Sequence, residues 1–305
     1  MLPDLNTVLK VRDRKYRSIA SHLSDYILTM ESDNARLTDN DIYTDLTTSR
    51  GSQRLLGFFS QKGIHLAFNN FGIYEILRKK GLKDPVLEID TSDQYKHRVY
   101  VTHKLKDQNY MSIEAVVRRT TLSIPSLITN SIEKRDFILV EWLMLQNELK
   151  DFTRNRPQLP GQDHPGLGVS NLIFEILYWT GRRLKVDGIL FVPNFLHSAL
   201  FYGRMMVMLD PARQAELYVF DKMLRSSCKI DQLTWACAEG HLLDSHTNEP
   251  YLWKPAPITI PISLRFKDRF HSPAFTKQVE ANSKKLSYKI TPGYHKKFDH
   301  EWKAV

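Results

Sequence analysis

"RPQLPGQDHPGLGVSNLIFEILYWTGRRLKVDGILFV", residues 156–192, changes pattern twice. A turn-rich segment carrying Gly161, Gly166 and Gly168 comes first. Apolar residues at helical spacing follow over 169–185, then a strand-length apolar run at 187–192. The order reads as turn, helix, strand. Upstream, "FILVEWLML" (137–145) is another strand. Strand, helix, strand makes a βαβ unit, whose two strands run parallel. The glycines admit two readings. A tight turn needs such residues merely to end one element and begin the next. Alternatively, the amides of Leu167, Gly168, Val169 and Ser170 open the helix unpaired, where the helix dipole favours an anion. No Gly-Lys-Ser/Thr follows, so the turn is not a Walker A loop, and it lacks the G-x-G-x-x-G of a dinucleotide site.

Outward from this unit the period changes. "PVLEID" (85–90), "HRVYVTH" (97–103), "SIEAVVRR" (112–119) and 137–145 are strand-like runs joined by short polar turns, which favours antiparallel neighbours. Nearer the N-terminus, 12–31 has helical spacing, with Arg12, Arg14, Lys15 and Arg17 at its start. A second helix is expected over about 45–61 with Leu46, Leu55, Leu56 and Phe59 inward; Gly51 weakens it and Gly63 ends it. "IHLAF" (64–68) reads as a strand and "GIYEILRKKG" as a short helix. Beyond the unit, helices are expected over 196–208, 212–243 and 264–282. Leu217, Phe220, Leu224, Leu233 and Trp235 are core candidates. The proline-rich "NEPYLWKPAPITIPI" is expected along the surface or a sheet edge.

Composition is that of a globular chain, with 42% hydrophobic and 25% charged residues. Forty-three Lys and Arg against 34 Asp and Glu give a formal charge of +9, which suits anionic partners. The two cysteines, Cys228 and Cys237, have no disulfide or zinc spacing, so a reducing cytoplasmic setting is expected. The first residues lack the apolar core of a signal peptide. No apolar run reaches the ~18 residues of a membrane span, so none is expected.

A strand, then Gln/Arg-x-x-Gly-x-Gly/Ala, a helix, a strand and Asn-x-x-Ala-x-x-Tyr is the motif order of the GCN5-related N-acetyltransferase (GNAT) superfamily. Residues 137–206 resemble it through "ILVEWLML", "QDHPGLG", helix 169–185, "DGILFV" and "NFLHSALFY". Gln162 to Gly166 and Asn194 to Ala199 are spaced more widely than in that family, and the connection 146–162 is longer. The resemblance implies that acetyl-CoA or another acyl-CoA binds as substrate. Gln162, Gly166, Leu167, Gly168, Val169 and Ser170 would hold its pyrophosphate, and Tyr202 would be the acid for the departing thiolate. The implied fold is α/β (α+β): a mixed, largely antiparallel sheet with one βαβ crossover and helices on both faces. An N-terminal helical segment (1–62), a GNAT-like core (63–210) and a C-terminal helical extension with a basic tail (211–305) would pack as one unit.

Candidates for the remaining chemistry follow from charge and position. Glu141 is the one carboxylate within an apolar strand, where desolvation would raise its proton affinity. Pairing with Arg118 or Arg119 is the structural alternative. His164 in the turn and His197 after the strand are candidate bases near neutral pH. The leading expectation is therefore an acyl-CoA-dependent acyltransferase acting on an unidentified amine or hydroxyl, with Glu141 or His164 as base, Tyr202 as acid and no metal. Two other functions are open. Lys284, Lys285, Lys289, Lys296 and Lys297 alternate with Tyr288, Tyr294, Phe298 and Trp302 in a tail suited to nucleic acid. Glu88, Asp90, Glu114 and Glu141, with His97, are oxygen and nitrogen donors suited to Mg²⁺ or Mn²⁺ in phosphoryl transfer.

Overall fold

The computed structural model describes residues 14–30, 54–105, 108–127 and 131–295. Its main sheet has seven strands in the order β1-β2-β3-β4-β5-β8-β6. Strands β1 (Val86–Asp90), β2 (His97–Leu105), β3 (Gln108–Pro125) and β4 (Ile132–Leu145) form an antiparallel meander. Leu87, Val99, Val101, Ile113, Val117 and Val140 are buried in one continuous core, while Ile124 and Phe137 of β3 and β4 belong to a second, smaller one. β4 then pairs in parallel with β5 (Gly188–Phe191), and α5 (Ser170–Arg183) lies in the connection between them. β8 (Ile258–Pro261) pairs antiparallel with both β5 and β6 (Val207–Met208).

The N-terminal region is more broken than its periodicity implies. Residues 14–30 form two helices, α1 (Arg14–His22) and α2 (Asp25–Thr29), because Ser24 accepts the Ile27 amide and starts the second. Arg12 and the side chains of Arg14 and Lys15 lie outside the described residues. So do Leu46, Gly51 and most of the helix expected at 45–61. Its described end is a turn, closed by a Leu55–Phe59 bridge with Leu55, Leu56 and Phe59 buried. The expected strand at 64–68 belongs instead to α3 (Gln61–Asn70), followed by α4 (Ile73–Lys79). Short apolar runs fit either period, and here the Ser60 cap decides. Gly63 therefore sits in a first turn rather than ending a helix; a Cβ on it would lie 2.2 Å from the Leu28 carbonyl oxygen.

Three further expectations change in the C-terminal half. The helix after β5, α6 (Leu196–Tyr202), stops before Gly203, and 207–208 joins the sheet. Residues 212–243 divide into α7 (Pro211–Ser226), α8 (Ile230–Ala238) and β7 (Leu242–Asp244). Residues 264–282 divide into α9 (Leu264–His271) and α10 (Pro273–Ser283), where Ser272 caps and Pro273 occupies the first turn. The proline-rich stretch does not run along an edge at its end. All four residues of β8 are buried between two strands, and the Thr259 hydroxyl donates to the Ile189 carbonyl. Through residues 258–261 the C-terminal region thus shares the sheet of the core.

The tail strand β9 (Tyr288–Ile290) pairs with β7 in a separate two-stranded sheet. A smaller core joins Phe137, Phe266, Phe270 and Phe275 through edge-on ring pairs 5.1–5.3 Å apart. No helix among the described residues is long and apolar enough to cross a membrane.

Ser60 ties α2 to α3. Its buried hydroxyl accepts the Gly63 amide at 3.0 Å and donates to the Met30 carbonyl at 2.7 Å. Ser60→Ala removes a cap and strands a buried acceptor. It should cost about 2 kcal/mol, read as a lower denaturant midpoint with an unchanged m-value.

Candidate functional site

β4 and β5 pair only as far as Val140 and Phe191. Two local features end the ladder there. Across to β3, Val117 pairs with Val140 and Val116 with Trp142, so Glu141 is one extra residue in β4. Such a bulge bends its strand and increases the local twist. On the other side, Pro193 follows β5 and offers no N–H to continue pairing. Beyond this point lies a cavity of about 590 Å³, walled by residues 140–146, the turn 161–166, the first turn of α5, and α6.

Glu141, Gln162, His164, Gly166, Ser170 and Tyr202 all line this cavity, while Leu167, Gly168 and Val169 do not. Two of them are engaged otherwise than expected. Glu141 is not the desolvated carboxylate the strand pattern implies. Burial pushes its carboxyl up, but Arg118 and Lys96, at 2.5 and 3.0 Å, outweigh this and hold it below the usual carboxylate range. The bulge also breaks the alternation that put Glu141 with Leu139, Leu143 and Leu145. Gln162 folds the turn on itself: its side-chain oxygen accepts the Leu159 amide, and its carbonyl accepts from Gln158.

The Leu167 amide is also unavailable, because it donates to the Leu145 carbonyl at 3.0 Å and fastens the turn to the end of β4. Gly166 lies opposite Gln146 in that junction, and its carbonyl accepts from Arg156. Gly168 and Gly161 adopt φ of +67° and +72°, a backbone that side chains disfavour. The turn explanation thus accounts for much of the glycine pattern.

It leaves the start of α5 open. Val169 provides no side-chain cap, and the amides of Gly168, Val169, Ser170 and Asn171 have no acceptor among the described residues. The Lys80 ammonium lies 3.6 Å from where a Gly168 Cβ would stand. An open helix start beside a cation suits a phosphate. Lys80 belongs to the turn after α4, and no local pattern in the sequence links it to this helix.

Two titratable side chains on α6 face the cavity, which Ser170 and Asn171 also border. Tyr202 packs against Phe174 and Phe191, with ring centroids 5.3 Å away in each case. Its hydroxyl has no hydrogen-bond partner among the described residues, and burial pushes it up to about 12. His197 is 5% exposed and stacks on Phe195 at 5.4 Å. Its Nδ1 is buried without a partner, and burial lowers its pKa to about 4. At neutral pH the phenol keeps its proton and the imidazole is uncharged. His164 also borders the cavity. The sequence reading put His164 ahead of His197 as base; burial of His197, which it could not reveal, brings His197 forward instead. Arg183, in the last turn of α5, donates to the carbonyls of Ala20 and Leu23.

Several residues behind the other two functions are engaged elsewhere. Glu114 accepts from Arg98 and from the Trp142 indole, so basic side chains divide the carboxylates expected to cluster. Among the described residues no three His, Cys, Asp or Glu side chains form a metal-holding group. In the tail, Tyr288 stacks on Phe220 at 4.8 Å, and Tyr294 stacks on His241 while donating to Glu239. Lys289 donates to Asn248. Lys296, Lys297, Phe298 and Trp302 lie outside the described residues.

Because His197 titrates near 4 folded and near 6.5 unfolded, the unfolded chain alone takes up its proton between these values. Stability from this group is complete above pH 6.5 and falls as the pH drops toward 4, by roughly 3 kcal/mol at ~1.4 kcal/mol per pKa unit. Urea unfolding at several pH values should show a shallower acid-side loss for His197→Phe than for the wild type. Equal slopes would mean that His197 is not held neutral. No protein-family model matches the chain, and no curated protein matches it.

Proposed function

We propose that the chain is an acyltransferase of GNAT-like fold that moves an acyl group from acyl-coenzyme A to an amine. The observation that carries this reading is the cavity where β4 and β5 part. It borders Ser170 and Asn171 of the open helix start together with a phenol and a neutral imidazole, while Gly168, Val169 and Lys80 lie outside its lining. Residues 168–171 and Lys80 would hold pyrophosphate through amides, the helix dipole and one charge. Acyl-coenzyme A supplies an activated thioester carbonyl.

His197 takes the proton lost by the amine as its nitrogen bonds to the acyl carbon. Tyr202 gives its phenolic proton to the sulfur as the carbon–sulfur bond breaks. Return of the proton from imidazolium to phenolate through water restores both groups. Burial keeps each in the state its step requires, which is the usual way opposing roles are set at one pH. The same reading puts the chain in the cytoplasm, in keeping with its two free thiols, Cys228 and Cys237.

Calorimetric titration with acetyl- and long-chain acyl-coenzyme A tests the reading. Micromolar binding is expected. Gly168→Glu and Lys80→Glu should weaken it at least tenfold, and the second leaves the backbone at 168 unstrained. Tyr202→Phe should keep binding and lower kcat by roughly 10²-fold, the lower end for a general acid. A folded wild type that binds neither thioester overturns the proposal.

A further inference from the structure

Ten large apolar side chains are notably exposed among the described residues, and four of them line the cavity where β4 and β5 part: Trp142 (47%), Val192 (41%), Phe195 (41%) and Phe201 (40%). Scattered surface apolar residues need no explanation, but a group around a concave site marks binding. Three of the four are aromatic. Phe195 and Phe201 both contact the His197 ring, at 5.4 and 6.2 Å, so the apolar wall adjoins the candidate base.

The charges in the cavity narrow the ligand further. Glu141 is neutralised by Arg118 and Lys96. Arg204 is not neutralised: its guanidinium lies over the Phe201 ring, 5.7 Å from the centroid, and it makes no ion pair among the described residues. Asp163, also in the lining, has no ion pair among them either. A guanidinium resting on an aromatic face is held in orientation, with its N–H fork available for a planar carboxylate.

We propose that the acceptor is an aromatic amino acid. Trp142, Phe195 and Phe201 would receive its ring, Arg204 its carboxylate, and Asp163 the ammonium form in which its amine arrives, whose extra proton passes to solvent before the free amine attacks. This rests on the acyltransferase reading for the reaction, but the binding selectivity can be tested without it. The cavity volume is that of a small-molecule site, which favours a free amino acid over a protein segment.

The test is calorimetry on the full chain without acyl-coenzyme A, using L-phenylalanine, phenylalaninamide and glycine as probes. L-phenylalanine should bind at least tenfold more tightly than the amide, which lacks the carboxylate, and than glycine, which lacks the ring. Arg204→Gln should abolish the preference for acid over amide while leaving affinity for the amide unchanged; general damage to the site would weaken both. Equal binding of acid and amide by the wild type, or equal weakening of both by Arg204→Gln, overturns the proposal. Binding of L-phenylalanine with no binding of acyl-coenzyme A would sink only the acyltransferase reading. Thioester binding with no affinity for L-phenylalanine would sink only this one.

Discussion

One residue too many in β4 governs the candidate site. Glu141 cannot pair with β3 because Val116 and Val117 already face Trp142 and Val140. A strand bent at that point cannot also follow β5, and Pro193 ensures that β5 does not follow it. The sheet opens where its one parallel pair ends, and the gap is filled from above by the glycine turn. The Leu145 carbonyl that β5 no longer covers takes the Leu167 amide instead. The backbone polar groups freed by the bulge are thereby partly re-satisfied, as buried groups must be. What remains is a space with a fixed floor and two independent walls.

Those walls have opposite electrostatic character. On the strand side, Glu141 and Glu114 are surrounded by Lys96, Arg98 and Arg118. Such partly exposed pairs add little stability. On the helix side, Tyr202 and His197 lie among Phe174, Phe191 and Phe195, where no charge compensates them. Desolvation then moves the phenol up and the imidazole down, so each is neutral across a wide pH range. Proton chemistry therefore suits α6 better than the bulge, although a lone carboxylate in an apolar strand was the more conspicuous feature of the sequence.

The meander was legible because period-two patterning and polar turns agree over residues 85–145, and the turn-helix-strand of 156–192 because its period changes abruptly. Errors fell where period is ambiguous or where a cap overrides it. "IHLAF" fits either a strand or a helix, and the Ser60 cap selects the helix. "ITIP" looked peripheral among prolines, yet those prolines bound a strand rather than prevent one. In the site, side-chain position was legible for Tyr202 and Ser170, which do meet in one cavity. Hydrogen-bond state was not. Nothing in the sequence shows that the Leu167 amide is taken, that Gln162 folds its own turn, or that Lys80 comes up beside Gly168.

The position of β8 bears on how the chain reaches this state. β5 carries the cavity floor, yet one of its two neighbours comes from 70 residues further along. During synthesis the meander and β5 emerge well before residue 258. Until then one side of β5, with Ile189 and Leu190, has no strand to cover it. Such long-range closure is slow, and an uncovered apolar edge invites association with other chains. The last part of the sheet to be made is thus the part that seals the strand beneath the site, so any delay in producing residues 258–261 exposes the region on which function depends.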